Sequence, residues 1–202
     1  GYDEQLFKPV KNDRPKTYFL FVGTIQPRKN LERLIEAFAQ IVARRGTKNR
    51  STSKMKSFNL VIVGTKGWLS DKIYQLPKKL GVEDRVQFLG RVDDKYLPAL
   101  YSGAIALTFP SLFEGFGLPI LEAQACGCPV LTSNTSSMPE IAGKGALYVD
   151  PYSVDDIVRG MVSCQQSAVS SQLIKAGFEN IKRFGWERCA RETLKVLEKV
   201  NL

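Results

Sequence analysis

Two glutamates and two adjacent cations are the residues of this 202-residue chain whose types and spacing best suit chemistry. Glu114 and Glu122 have seven residues between them in Glu114-Gly-Phe-Gly-Leu-Pro-Ile-Leu-Glu122, and Arg28-Lys29 fall just before Asn30. A carboxylate can accept from two neighbouring hydroxyls at once, so the pair suits a polyhydroxylated ligand. Gly115 and Gly117 allow the backbone to approach such a ligand closely and to turn free N–H groups toward it. Arg28 and Lys29, set beside the positive end of a helix, suit a diphosphate. The GxxxxGK[ST] phosphate loop occurs nowhere, and the GxG here lacks the dinucleotide-binding spacing. Glycosidases also use two carboxylates, about 5–10 Å apart across a sugar. The adjoining phosphate-type loop argues against hydrolysis, which has no diphosphate to hold.

The chain contains no histidine. Ser-His-Asp and Cys-His nucleophile systems, HExxH zinc sites and Cys2His2 fingers are thereby excluded within it. Cys126 and Cys128 form a C-x-C pair, while Cys164 and Cys189 stand alone. Zinc usually needs four ligands from paired spacings, so the thiols are expected as small core residues and no metal site is expected. Four cysteines make no disulfide scaffold, and a cytoplasmic, reducing location is expected. The opening Gly1-Tyr2-Asp3-Glu4-Gln5 does not resemble a signal peptide, and no apolar run is long enough to span a membrane. Of the net charge of +9, six positives lie between Arg44 and Lys56 without an acidic residue among them. That segment is expected as a loop, either solvated or in peripheral contact with an anionic membrane. A nucleic-acid partner is not expected, since interleaved aromatics and any known nucleic-acid module are missing.

Elements must bring these residues together. Tyr18–Val22, Phe58–Val63, Arg85–Leu89, Ala104–Phe109, Pro129–Thr132 and Ala146–Val149 are short apolar runs of the kind buried on both faces of a sheet. Between them lie helical patterns: one capped by Asn30 with Leu31, Leu34, Ile35, Phe38, Ile41 and Val42 on one stripe, then others near Asp71–Leu80, Asp94–Tyr101 and Leu118–Cys126. Ser137 with Glu140 and Ser153 with Asp156 match the capping-box pattern. The alternation predicts an α/β fold, a doubly wound parallel sheet of Rossmann type with helices on both faces and a helical C-terminal tail. One domain is expected over 1–202, with a linker-like start at 1–16, an α/β core over 17–152 and C-terminal helices over 153–202. Right-handed crossovers then put every loop that follows a strand on one edge, including Gly23–Asn30 and Pro110–Gly117.

Glu114 through Glu122 resembles the E-x7-E motif of the retaining family 4 glycosyltransferases of the GT-B fold. The resemblance continues through Glu122-Ala-Gln-Ala-Cys-Gly-Cys-Pro-Val130, Ser136-Ser-Met-Pro-Glu140, Gly90-Arg-Val-Asp-Asp94, Val22-Gly-Thr24 and Arg28-Lys29-Asn30. It implies the C-terminal, donor-binding half of such an enzyme, with an N-terminal acceptor domain as its partner and a nucleoside-diphosphate sugar as its donor. By that analogy Glu122 binds ribose hydroxyls and Glu114 hydroxyls of the transferred sugar. Arg28 and Lys29 neutralise the diphosphate with backbone N–H groups from Gly115, Phe116, Gly117 and Leu118, beside Gly23 and Thr24, while Arg91 and Val92 frame the base. Many relatives carry Arg where this chain has Thr24, which removes one phosphate contact. No cofactor or metal is expected. A non-catalytic nucleotide-sugar module on the same fold is the alternative.

Overall fold

Phe19, Leu20 and Phe21 expose no surface, as a strand covered on both faces demands. They form the middle of β1 (Tyr18–Val22) in the computed structural model of the chain, which describes residues 1–11, 16–46 and 58–200. The other strands are β2 (Asn59–Val63), β3 (Val86–Gly90), β4 (Ala106–Phe109), β5 (Val130–Ser133) and β6 (Ala146–Val149). All pairings are parallel, in the order β3-β2-β1-β4-β5-β6. This is the expected doubly wound sheet, with each strand within two residues of its predicted bounds, but β3, at the edge, is not buried on both faces as expected, since Gln87 and Leu89 are exposed.

The helices are α1 (Leu31–Gly46), α2 (Asp71–Lys79), α3 (Leu97–Gly103), α4 (Leu118–Ala125), α5 (Met138–Ala142), α6 (Val154–Ser163), α7 (Ser167–Ile181) and α8 (Trp186–Val200). On one face α1 packs between α2 and α6; on the other α4 packs between α3 and α7. The predicted stripe of α1 is the buried one, with Leu31, Leu34, Ile35, Phe38 and Ile41 all in the core. Tyr2 and Phe7 of the opening segment are buried too, the Phe7 ring lying edge-on to Tyr101 at 6.2 Å.

Strand order reverses at β1, because β2 and β3 lie on one side of it and β4, β5 and β6 on the other. The chain leaving β1 therefore turns one way and the chain leaving β4 turns the other. A crevice opens between them at the carboxyl edge, the usual ligand site of such sheets.

Several local expectations are corrected. Asn30 takes a left-handed conformation (φ 59°) rather than the extended one of a capping residue. Its amide instead donates to the Pro110 and Pro151 carbonyls at 2.9 and 2.7 Å, tying the start of α1 to two other loops. Ser137 makes no capping hydrogen bond at α5, because its hydroxyl is engaged elsewhere. Ser153 does cap α6, accepting from the Asp156 N–H at 3.2 Å, but the Asp156 carboxylate accepts from Asp150 N–H instead of reaching back to Ser153. Cys126, Cys128 and Cys164 are buried as expected, with burial pushing each thiol up to about 12, whereas Cys189 is exposed on α8. Of the basic segment, residues 47–57 lie outside the described residues. Arg44, on α1, stands 3.8 Å from Asp155.

Candidate active site

Two loops meet at the crevice. The first leaves β1 at Gly23 and passes through a short turn, Pro27–Lys29, before α1. The second leaves β4 and runs from Pro110 to Gly117, where a left-handed glycine (φ 101°) opens α4 with Pro119 in its first turn. The Leu112 N–H donates to the Arg28 carbonyl at 2.9 Å, stitching the loops together.

The stitch brings three charged side chains into one cluster. Lys29 Nζ lies 2.6 Å from Glu114 Oε1, and Arg28 Nη1 lies 2.9 Å from Glu114 Oε2. Arg28 Nη1 also donates to the Phe113 carbonyl. Lys29 and Glu114 are buried, with Lys29 Nζ 5.1 Å from the centre of the Phe109 ring, while Arg28 is about one-third exposed. Burial by itself raises the Glu114 carboxyl. The hydrogen bonds of Lys29 and Arg28 and the charge of Lys29 outweigh it and hold Glu114 below the ordinary carboxylate range. Ser111 is fully buried, and its oxygen meets no partner at hydrogen-bonding geometry. Two cations on one carboxylate leave the cluster with a surplus positive charge.

The second loop is held from behind by the chain that follows β5. The Ser136 hydroxyl donates to the Glu114 carbonyl at 2.7 Å and faces the Glu114 N–H at 3.2 Å. The Ser137 hydroxyl lies 3.0 Å from both the Glu114 and Phe116 carbonyls, sharing one proton between them. Ser133 donates to the Ser111 carbonyl at 2.6 Å. Gly115 presents its backbone outward, since a Cβ there would meet no protein atom. Phe116, 38% exposed, sets its ring edge-on to Phe184 at 6.0 Å.

Glu122 stands in the second turn of α4, apart from the charged cluster. Its Oε2 accepts from the fully buried Tyr101 hydroxyl of α3 at 2.7 Å, and its side chain stays partly accessible. Burial raises the Glu122 carboxyl above its ordinary value, the Tyr101 hydrogen bond pulls it down, and Asp94 raises it further. Arg91 and Val92 follow β3, two strands from β1. Among the described residues no hydrogen bond or ion pair joins them to the cluster. Thr24 faces the next loop, its methyl so close to Gly67 that a Cβ there would lie 2.9 Å away.

Sequence reasoning put the loops of Arg28, Lys29 and Glu114 on one edge, and the structure shows in addition that the two cations pair with the carboxylate. That reasoning overlooked Tyr101 and Ser111, and it assigned Ser137 to a helix cap. The available signal for Ser111 was its place just after a strand at the binding edge; nothing in the sequence joined Tyr101 to Glu122. The arrangement as a whole offers a positive cluster, outward backbone N–H groups and two carboxylates on one edge. Among the described residues no group of three or more Cys, Asp or Glu side chains is placed to hold a metal ion.

Residues 3–175 match the family described as "Glycosyl transferases group 1". The chain is 36% identical over 178 residues to O-antigen chain mannosyltransferase B of Escherichia coli, covering 88% of this chain and 44% of that protein. Sucrose-phosphate synthase from Thermosynechococcus elongatus superposes with a TM-score of 0.80 at 27% identity, covering 99% of this chain and 51% of that one. The C-terminal domain of a glycosyl transferase group 1 protein from Francisella tularensis superposes at 0.73 with 23% identity, covering 91% of this chain and 97% of that domain. The chain spans less than half the length of the curated E. coli relative it matches.

Proposed function

This chain belongs to the group 1 glycosyl transferases, and from that membership we propose that it binds the donor of a hexosyl transfer. The donor is a nucleoside-diphosphate sugar of the GDP-mannose or UDP-glucose type, and the acceptor is a saccharide or a lipid-linked saccharide. The observation that carries this reading is the convergence of Lys29 and Arg28 on Glu114 where the loops after β1 and β4 meet. Relatives named as O-antigen mannosyltransferases favour the mannosyl donor. Since the chain covers under half of such a relative, an N-terminal domain is proposed to supply the larger part of the acceptor site, across the crevice from this chain.

Breaking the anomeric C–O bond puts negative charge on the departing diphosphate while the sugar becomes oxocarbenium-like. Cations and N–H groups already fixed around the diphosphate gain strength as that charge develops, which is what lowers a barrier rather than merely binding substrate. Lys29 and Arg28 fill this role, with the N–H groups of Gly115, Phe116, Gly117 and Leu118 at the start of α4. Each charge-assisted bond is worth roughly 1.5–3 kcal/mol, so loss of Lys29 costs on the order of 10- to 100-fold. The diphosphate brings negative charge to cations that Glu114 already occupies. Glu114 must then give way, and hydroxyls of the transferred sugar are the partners the family resemblance offers it. Glu122, oriented by Tyr101, accepts from the ribose diol, and Arg91 and Val92 flank the base. Retention of configuration is carried by the resemblance.

Because cations and a helix terminus neutralise the diphosphate, the reading requires no divalent ion. Activity of the longer enzyme that vanished with EDTA and returned with Mn²⁺ would overturn that part. The donor reading itself is tested by calorimetric titration of the chain with GDP, UDP and ADP. One diphosphate is expected to bind in preference, more weakly after Lys29→Ala or Glu122→Ala. No binding by the folded chain, or binding indifferent to both substitutions, would count against it.

A further inference from the structure

Past the carboxyl ends of β1 and β2 the two connecting loops stay paired. The Gly23 N–H donates to the Val63 carbonyl, the Ile25 N–H to the Thr65 carbonyl and the Gly67 N–H to the Ile25 carbonyl, each at 2.9 Å. Ile25 and Lys66 form a parallel bridge. The approach is too close for side chains: a Cβ on Gly64 would overlap the Gly23 carbonyl oxygen, and one on Gly67 would stand 2.7 Å from the Ile25 carbonyl oxygen. The sheet is thus prolonged beyond its own edge by a ribbon, and the ribbon ends in Trp68 and Leu69.

Both residues face solvent, at 62% and 73% exposure. Leu69 also holds a φ of 51°, a region that non-glycine residues seldom occupy. The indole is nonetheless fixed, because its Nε1–H donates to Gln26 Oε1 at 2.8 Å. Gln26 immediately precedes the Pro27–Lys29 turn. The exposed ring is therefore held in a set orientation to the turn that carries Arg28 and Lys29.

An acceptor must reach the anomeric carbon beside the diphosphate those cations hold. A pyranose has an apolar C–H face comparable in size to an indole ring, with its hydroxyls directed to the rim, and an aromatic side chain offers it large apolar contact at low entropic cost. We propose that Trp68 is a stacking platform for a pyranose ring of the acceptor saccharide, with Leu69 extending the apolar contact. A membrane surface suits the position less well, since it would call for unpaired flanking cations, and the adjacent Lys66 is paired with Asp71 at 2.6 Å. The kind of acceptor rests on the function proposed above; the geometry of the platform does not.

Trp68 and Trp186 are the two tryptophans of the chain. Trp186 is exposed on α8, so a Trp186→Phe variant leaves Trp68 as the sole indole emitter without disturbing the core. Titration of that variant with linear mannotriose is expected to shift or quench the emission saturably, whereas sorbitol at equal concentration does not. In the otherwise unaltered chain, Trp68→Ala is expected to weaken mannotriose binding by about ten-fold or more while leaving nucleoside-diphosphate affinity within about two-fold. Lys29-dependent binding of a nucleoside diphosphate with emission indifferent to mannotriose would overturn the platform and leave the donor reading standing. Emission that responds to the nucleoside diphosphate or to anionic vesicles but not to mannotriose would overturn it in favour of a base or a membrane. Response to mannotriose without nucleotide binding would support the platform and count against the donor reading.

Discussion

Glu114 holds the same cations that a diphosphate would need, so on the proposed reading the two anions would compete for them. Replacing Glu114 with Gln removes the competing charge. Nucleoside-diphosphate affinity, read by calorimetry, is expected to rise several-fold to about ten-fold, while turnover in the longer enzyme collapses because the hydroxyls of the sugar lose their charged, two-oxygen acceptor. The same substitution removes a pH-dependent contribution to stability. A carboxyl depressed in the folded state from its ordinary 4.5 stabilises fully above that value and loses its contribution as pH falls through the lower folded one. Urea unfolding of Glu114→Gln should accordingly show a shallower loss of stability below pH 4.5 than the parent chain. Glu122 behaves in the opposite sense. Burial and Asp94 raise it, the Tyr101 hydroxyl lowers it, and the neighbouring Cys126 thiol, pushed up to about 12, stays neutral. Tyr101→Phe deletes the one lowering contact. The pH below which nucleotide affinity declines is then expected to move upward, with affinity near neutral pH less affected; an unmoved acid limb would show that Tyr101 does not set the charge state of Glu122.

Among the loops, glycine positions separate structure from binding. Gly64 has a φ of 148° and no room for a Cβ against the Gly23 carbonyl, so Gly64→Ala is expected to cost about 1–3 kcal/mol by displacing the ribbon. At Gly115 a Cβ meets no protein atom. Gly115→Ala is therefore expected to leave unfolding free energy within about 0.5 kcal/mol, yet to weaken diphosphate binding by intruding where the ligand's phosphates approach the backbone. Chemical denaturation and calorimetry on the two variants check the contrast. The second loop itself owes its shape to neighbours distant in sequence: Ser133 at the end of β5 and Ser136 and Ser137 beyond it hold its carbonyls, and Arg28 meets it from beyond β1.

For the molecule as a whole, the site rides on the carboxyl edge of the four central strands, which are almost wholly buried. A ligand bound only by the folded chain stabilises it by mass action, about 2.7 kcal/mol at a hundred-fold excess over its Kd. For a chain of this size that is a rise of roughly 5–10 °C in Tm for the preferred nucleoside diphosphate. Lys29→Met, which keeps the packing against Phe109 but not the charge, is expected to abolish most of the rise; an undiminished rise would place the diphosphate elsewhere. The last helix stands apart from this core. No residue of α8 is buried, and Leu194, Val196 and Leu197 all face solvent. Among the described residues no helix is long and apolar enough to cross a membrane.

The sequence by itself determined the alternation of apolar runs and amphipathic stripes, and with it the parallel sheet, because burial on two faces leaves strands no polar alternation to hide. It also determined that Arg28, Lys29 and Glu114 lie on one edge, since right-handed crossovers put every post-strand loop there. Only the tertiary structure decided which groups touch. The pairing of β1 with β4 rather than with a more distant strand set Lys29 on Glu114, and the packing of α3 on α4 set Tyr101 on Glu122. Ser137 looked like a local cap because sequence spacing reports only contacts within one element. Its hydroxyl went to Glu114 and Phe116 instead, since the carbonyls of a loop held over an open crevice need donors, and the chain leaving β5 was the one that reached them.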